Sequence, residues 1–346
     1  MNWIQGLLLG LVQGFTEFLP VSSSGHLTIF QELFGIGGET NLKFDVTVHV
    51  ATVLSTIVVF RKPLGRLIKG FFARGMNGEK DYVFKILVSL IPVAIVGFTL
   101  NDLVEKIFST DYVASHTGNG LLLVGCMLIV TALLLYCSEM MTARNEEKNA
   151  SKTDVAKEDV AKTDVAKKNV AKTDVATIDV VKTNVAKQES NGVDYCDNSA
   201  INYWQAFVVG IAQAIAVLPG LSRSGSTIST GLLCKVKKSS VAQFSFLMVI
   251  IPILGQAFLD VYKAFKNAGD SVATAGVAAD AGNAVASASA SIGFLPLLLG
   301  FLAAFFAGWA ACKWMVKLVK NVNLTGFAIY CAIVGILCVV LPYLIK

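Results

Sequence analysis

Two short stretches carry most of the chemistry-bearing side chains of this apolar chain. "VQGFTEFLPVSSSGHL", Val12–Leu27, holds Gln13, Glu17, Ser22, Ser23, Ser24 and His26. "AQAIAVLPGLSRSGST", Ala212–Thr227, holds Ser222, Arg223, Ser224 and Thr227. Gln13 and Glu17 are four residues apart, so one face of a helix presents both. The serines of Ser22–Gly25 and Ser222–Gly225 stand where a short helix should begin. Helix starts expose unpaired N–H groups and the positive end of the dipole, so serines there cap the helix or donate to an anion. Two such starts facing one another, with Arg223 between them, would form a phosphate pocket. Arginine suits phosphate because its planar fork binds two oxygens at once. Plain capping by the serines and a purely structural Glu17–Arg223 ion pair are the alternatives.

The elements that must position these groups belong in a membrane. The chain is 54% hydrophobic and only 15% charged, against about 25% charged in soluble domains. Phe44–Phe60, Tyr82–Leu100, Leu121–Cys137, Val241–Leu259, Ile292–Cys312 and Leu324–Leu344 carry almost no charge. Each is long enough to cross a bilayer core of about 30 Å as a helix. The fold class is therefore an all-α polytopic membrane protein. The net charge of +5 does not indicate nucleic acid, because the basic residues cluster in loops beside the spans. Lysines and arginines after Phe60, around Lys235–Lys238 and at Lys313–Lys320 all fall on the cytoplasmic side of a six-span path. The acidic loop Asn101–Thr117 and the Ala/Gly/Ser-rich loop Asn267–Ser291 then lie outside. The cysteines, which show no C-x-x-C spacing, read as small buried hydrophobes except Cys196 in a polar loop.

Two apolar pieces, Trp3–Leu19 and Tyr203–Leu218, are left over by that count, and each runs into a Pro/Ser/Gly break. Non-helical backbone at membrane depth is tolerated only where protein covers it or a wet cavity adjoins it. The two breaks also align without gaps: Gly10 with Gly210, Gln13 with Gln213, Ser22 with Ser222, Ser24 with Ser224 and Gly25 with Gly225. Each is followed by three spans, one set entering from outside and the other from inside. This predicts two re-entrant helix pairs plus six transmembrane helices in an inverted-topology repeat, with the site where the breaks meet. Residues 1–138 form the first repeat and 201–346 the second. Residues 139–200 form a linker whose unit TDVAK recurs with variations from Thr153 to Lys187. A period of five turns about 500° on a helix, so its valines never make one stripe.

At these residues the sequence resembles the bacterial undecaprenyl pyrophosphate phosphatase family, known for bacitracin resistance. The family's Glu/Gln-x-x-x-Glu motif and Pro-Val-Ser-Ser-x-Gly-His run correspond to Gln13–Glu17 and Pro20–His26. Its Pro-Gly-x-Ser-Arg-Ser-Gly-x-Thr motif corresponds to Pro219–Thr227. The resemblance implies removal of the terminal phosphate from a C55 polyprenyl pyrophosphate, in a multi-pass protein of the bacterial cytoplasmic (inner) membrane. It also implies a divalent cation, Mg²⁺ or Ca²⁺, held by Glu17 with Gln13, whose carbonyl oxygen is a hard ligand. The implied partners are the lipid substrate and membrane lipid, with a homodimer left open. The pocket is expected to open to the external, periplasmic side.

Phosphoryl transfer is mostly positioning and charge stabilisation. Arg223, Ser222, Ser224 and Thr227 are expected to hold the phosphates, with Ser22 and Ser24 as further binding groups. Glu17 holds the metal or orients the nucleophile. Either His26 attacks phosphorus, or it is the acid/base for Ser23 or water. His49, Asp45 and His116 are weaker candidates. The rival reading is a transporter or lipid flippase with an anion site, since inverted repeats with broken helices also build transporters.

Overall fold

The computed structural model describes residues 1–36, 39–99, 120–167, 200–274, 293–321 and 323–344. Eleven helices account for the secondary structure of these residues: α1 (Trp3–Phe18), α2 (Ser23–Leu33), α3 (Glu39–Val59), α4 (Arg61–Phe72), α5 (Gly78–Thr99), α6 (Leu122–Lys167), α7 (Tyr203–Ile215), α8 (Arg223–Leu233), α9 (Lys238–Thr274), α10 (Phe294–Asn321) and α11 (Thr325–Leu344). Five are long and apolar enough to cross a membrane, within α5, α6, α9, α10 and α11. The α3–α4 pair, bent by 76° after Val59, makes a sixth if counted as one span. The outer faces of these helices are apolar and exposed, as a lipid-facing surface must be: Ile91, Ile95 and Phe98 on α5, and Ile329, Ile333 and Ile336 on α11. This is a multi-pass membrane protein.

Several expectations need adjusting. The basic stretch after Phe60 is a helix, not a loop. In α4 the basic residues Lys62, Arg66 and Lys69 share one side, while Pro63 and Leu67 are buried. α6 continues unbroken to Lys167, so the first part of the 139–200 stretch, with its first three pentads, is helical. Intrahelical hydrogen bonding needs no apolar stripe, and the Ala and Lys of each pentad are good helix formers. For the same reason α9 runs on to Thr274, into the expected Ala/Gly/Ser loop. Cys312, Cys331 and Cys338 are buried, but Cys126 and Cys137 lie exposed on α6. A small apolar thiol is as compatible with lipid as with a core. Cys196, the loop Asn101–Thr117 with His116, and the later pentads lie outside the described residues.

The two halves are built alike, and local chemistry explains why. Asn2 and Gln5 form a capping box at the start of α1, and Asn202 and Gln205 form the same box at the start of α7. In each box the amide oxygen of Asn accepts from the Gln backbone N–H at 2.8 Å while the Gln side chain accepts from the Asn N–H. Ser22 Oγ accepts from Gly25 N at 3.1 Å, and Ser222 Oγ accepts from Gly225 N at 3.0 Å. Both short helices end in a left-handed residue, Gly35 at φ 63° and Lys235 at φ 64°. Phe44 and Phe244, at matching places on α3 and α9, are both fully buried.

Helix packing ties the halves together crosswise. α1 packs on α10 and α7 packs on α5, while α6 packs on α11. Small residues permit these approaches, as is usual between membrane helices. A Cβ on Gly10 would stand 2.3 Å from the Gly300 carbonyl oxygen, and one on Gly210 would stand 2.1 Å from the Ser89 carbonyl oxygen. α1 and α7, at 16 and 13 residues, reach only about 24 Å and 20 Å, short of a bilayer core. Their C-terminal breaks meet each other inside the protein. Ser224 Oγ donates to the Leu19 carbonyl at 2.9 Å, and Gly220 N–H donates to Ser24 Oγ at 3.4 Å.

Candidate active site

The two breaks converge on one carboxylate. α1 ends at Phe18, Leu19 is extended before Pro20, and Ser22 caps α2 with φ 70°. Extended backbone is what a following proline enforces. In the other half Gly220, at φ 88°, turns the chain so that Ser222 caps α8. Ser23 and Arg223 therefore hold the same place, the first helical residue after the cap, and both reach Glu17. Ser23 Oγ donates to Glu17 Oε2 at 2.6 Å, and Arg223 Nη2 donates to Glu17 Oε1 at 3.2 Å. Gln13 Nε2 donates to Oε2 at 2.8 Å from one turn earlier on α1. His49 Nε2 stands 3.8 Å from the same oxygen, and its Nδ1 lies 2.7 Å from the Asp45 carbonyl. A carbonyl only accepts, so Nδ1 carries the proton of that bond. A buried carboxylate is sustained only by such partners.

Glu17 and Arg223 line a narrow, partly open cavity whose empty space, open solvent included, is about 450 Å³. Thr52, Thr56, Gln213, Ser224, Thr227 and Ser245 complete its polar lining, and Phe246, Val249, Ile250 and Ile253 of α9 supply an apolar wall. The Glu17 side chain is 8% exposed and that of Arg223 30%, so the guanidinium keeps donors available to something in the cavity.

The other sequence-predicted residues divide by role. Ser22 and Ser222 are buried caps away from the cavity wall. Ser24 takes part in the contact between breaks, and Thr227 Oγ1 donates to the Arg223 carbonyl at 2.9 Å. His26 is not brought to the carboxylate. Its Nδ1 lies 2.8 Å from the Ser22 carbonyl, and its Nε2 lies 2.6 Å from the Tyr330 hydroxyl of α11. Both ring nitrogens are engaged and the ring is 5% exposed. Asp45 Oδ1 accepts from Gln31 Nε2 at 2.7 Å, one step removed from Glu17. Sequence reasoning left out Tyr330, Gln213, Ser245, Thr52 and Thr56. Gln213 had a signal, its alignment with Gln13; the others are ordinary helix residues in sequence.

Among the described residues no three acidic, histidine or cysteine side chains gather into a metal cage. One acceptor is nevertheless stranded: Gln13 Oε1 is buried without a hydrogen-bond partner. A carboxylate and a carboxamide oxygen on one helical face do not enclose a cation. They do suit Mg²⁺ or Ca²⁺ whose remaining ligands are phosphate oxygens and water.

Comparison with known sequences settles the lineage. The family described as bacitracin resistance protein BacA matches residues 6–337. The chain belongs to the BacA family. Among BacA relatives, the undecaprenyl-diphosphatase of Bacteroides fragilis is 44% identical over 344 residues, 99% of this chain and 100% of the relative. That of Parabacteroides distasonis is 44% identical over 97% of both chains. That of Christiangramia forsetii is 35% identical over 99% of both. The BacA match spans both halves and the region between them.

Proposed function

We propose that the chain is an undecaprenyl-diphosphatase, hydrolysing undecaprenyl diphosphate to undecaprenyl phosphate and inorganic phosphate within the membrane. One observation carries the reading: Glu17 is held between a serine hydroxyl and a guanidinium at the edge of a cavity whose lining combines polar and apolar side chains. A lipid diphosphate has the same combination.

The residues act as follows. Arg223 holds oxygens of the terminal phosphate with the donors it does not give Glu17, and offsets charge that develops in the transition state; Ser224 and Thr227 stand beside it, their hydroxyl protons given to the Leu19 and Arg223 carbonyls until they turn to phosphate. Ser23 Oγ attacks that phosphorus as its proton passes to Glu17 Oε2. The Oγ–P bond forms, the bond from phosphorus to the bridging oxygen breaks, and the electron pair leaves with the lipid monophosphate. Glu17 gives that proton to the departing lipid phosphate, then takes one from the water that attacks the phosphoserine and hands it to Ser23 Oγ as the Oγ–P bond breaks and inorganic phosphate leaves. The 2.6 Å Ser23–Glu17 bond favours Ser23 over His26 as the attacking group. Glu17 and Gln13 Oε1 would hold a divalent cation; when bound it neutralises phosphate charge. The basic flanks of the spans support a cytoplasmic-membrane orientation with the Ser23 half entering from outside, so that the lipid carrier is recycled on the external face.

The test is phosphate release from undecaprenyl diphosphate by purified protein in detergent. Wild type is expected to turn over and to slow sharply when chelator removes the cation, and Arg223→Ala is expected to be inactive. A transporter or flippase would release no phosphate. An acid quench that traps phosphoserine at residue 23 supports the attack assigned to it; an acid-labile phosphohistidine at residue 26 would reverse that assignment.

A further inference from the structure

The cavity contains two donors that the chain itself leaves unanswered. Gln213 is 2% exposed and Ser245 is 4% exposed. Both line the cavity that Glu17 and Arg223 share. Neither Gln213 Nε2 nor Ser245 Oγ has a hydrogen-bond partner. An unpaired buried donor is costly, and in a native structure it calls for a ligand or an ordered water. Ser226, Gln243 and Glu139 also carry buried atoms without partners, but none of them lies on the cavity.

Chemistry and position narrow the ligand. An amide N–H₂ and a hydroxyl donate, and phosphate oxygens accept. Gln213 thus differs from its counterpart in the first half. Gln13 gives its N–H to Glu17 and leaves an oxygen stranded, which suits a cation; Gln213 leaves a nitrogen stranded, which suits an anion. Ser245 stands on α9 beside Phe246 and one turn before Val249, where the apolar wall begins. A prenyl diphosphate presents a terminal phosphate, a bridging oxygen, a second phosphate and then hydrocarbon. With the terminal phosphate at Ser23 and Arg223 and the hydrocarbon along Val249, Ile250 and Ile253, the second phosphate falls to the unanswered donors.

We propose that Gln213 and Ser245 form the subsite for the lipid-side phosphate, the one that stays on the prenyl chain. The inference rests on the diphosphatase reading of the cavity. It also gives the reaction a reason to stop. A prenyl monophosphate held by the same pair leaves its phosphorus one phosphate short of Ser23, so it is released rather than hydrolysed.

The experiment uses the full-length protein, farnesyl diphosphate, its methylene-bridged analogue, farnesyl monophosphate and inorganic phosphate. Wild type must first release phosphate from undecaprenyl diphosphate; if it does not, the diphosphatase reading itself falls. Given that activity, Gln213→Met and Ser245→Ala are each expected to weaken the bridged analogue and the monophosphate by about 10- to 100-fold in calorimetry. KM for farnesyl diphosphate should rise by a similar factor, with kcat changed less. Binding of inorganic phosphate, which sits with Arg223, should be unchanged. The ligand-free variants should melt at or above the wild-type temperature, because an apolar isostere removes an unpaired polar atom, yet lose most of the analogue-induced stabilisation. The inference is overturned if the variants bind the analogue as tightly as wild type, if inorganic phosphate weakens equally, or if the ligand-free protein melts lower while the ligand-induced shift survives.

Discussion

The two breaks are near copies in backbone and opposites in chemistry. Both are opened by an Asn–Gln capping box, closed by a left-handed residue, and capped at the inner helix by a serine. Yet the residue after that cap is Ser23 in one half and Arg223 in the other, and only the first half has a carboxylate at depth. The difference teaches that the repeat is a holder. Its duplicated parts hold the geometry, and the unduplicated side chains carry the reaction. Backbone differs at one place as well: Ser22 caps with φ 70° whereas Ser222 caps with φ −70°. That unusual conformation sits immediately before Ser23, where strain at a functional residue is commonly tolerated.

The comparison breaks most visibly if the unmatched residues are removed. Glu17→Ala and Ser23→Ala should each lower phosphate release by about a thousandfold, within the range for a lost acid/base or nucleophile. Because both serve one step, the double variant should be little worse than either single one. Additive losses in a phosphate-release assay would place them in separate steps. Gln13→Glu sharpens the same half. It replaces a donor to Glu17 by a second carboxylate, so activity without added cation should drop about tenfold and the apparent affinity for Mg²⁺ or Ca²⁺ should rise. A titration of activity against free cation that is unchanged from wild type would remove Gln13 from the cation site.

The duplicated parts should respond alike. Gly10→Ala and Gly210→Ala each drive a methyl into a partner backbone and should each cost about 1–3 kcal/mol in detergent unfolding. A large inequality would show that one crosswise contact matters more than the other. The smallest expected effect is a gain. Lys235 is exposed at φ 64° where its counterpart is Gly35; Lys235→Gly should stabilise by about 0.5–1 kcal/mol, read as a rise in melting temperature.

Much of this was legible in the sequence because membranes make sequence explicit. Uncharged windows gave the spans, and the gapless pairing of Gly10–Gly25 with Gly210–Gly225 gave the meeting of the breaks. Glu17 and Arg223 stood out because ionic groups at depth are rare, and Ser23 because it aligns with Arg223. What was not legible depends on distance in three dimensions. His26 looks as prominent as Glu17 in sequence, yet helix rotation turns it to Tyr330. Ser245 and Thr52 look like ordinary polar residues of a span until α3 and α9 close around the cavity. His49 was visible as a polar residue in a span, but only the fold shows that it faces Glu17. Apolarity does not mark where α6 ends, since backbone hydrogen bonding continues past the last apolar turn to Lys167.

The bond from Arg223 to Glu17 spans 206 residues. At roughly 5–20 residues per second, a ribosome needs on the order of 10–40 s to deliver the arginine after the glutamate has been made. For that interval the first half has a carboxylate and no arginine to answer it. Until then Glu17 has only Gln13, Ser23 and His49 of its own half for company, and α10, on which α1 packs, is still to be made. The charge pair is thus a contact that cannot guide the first half and can only join it to the second.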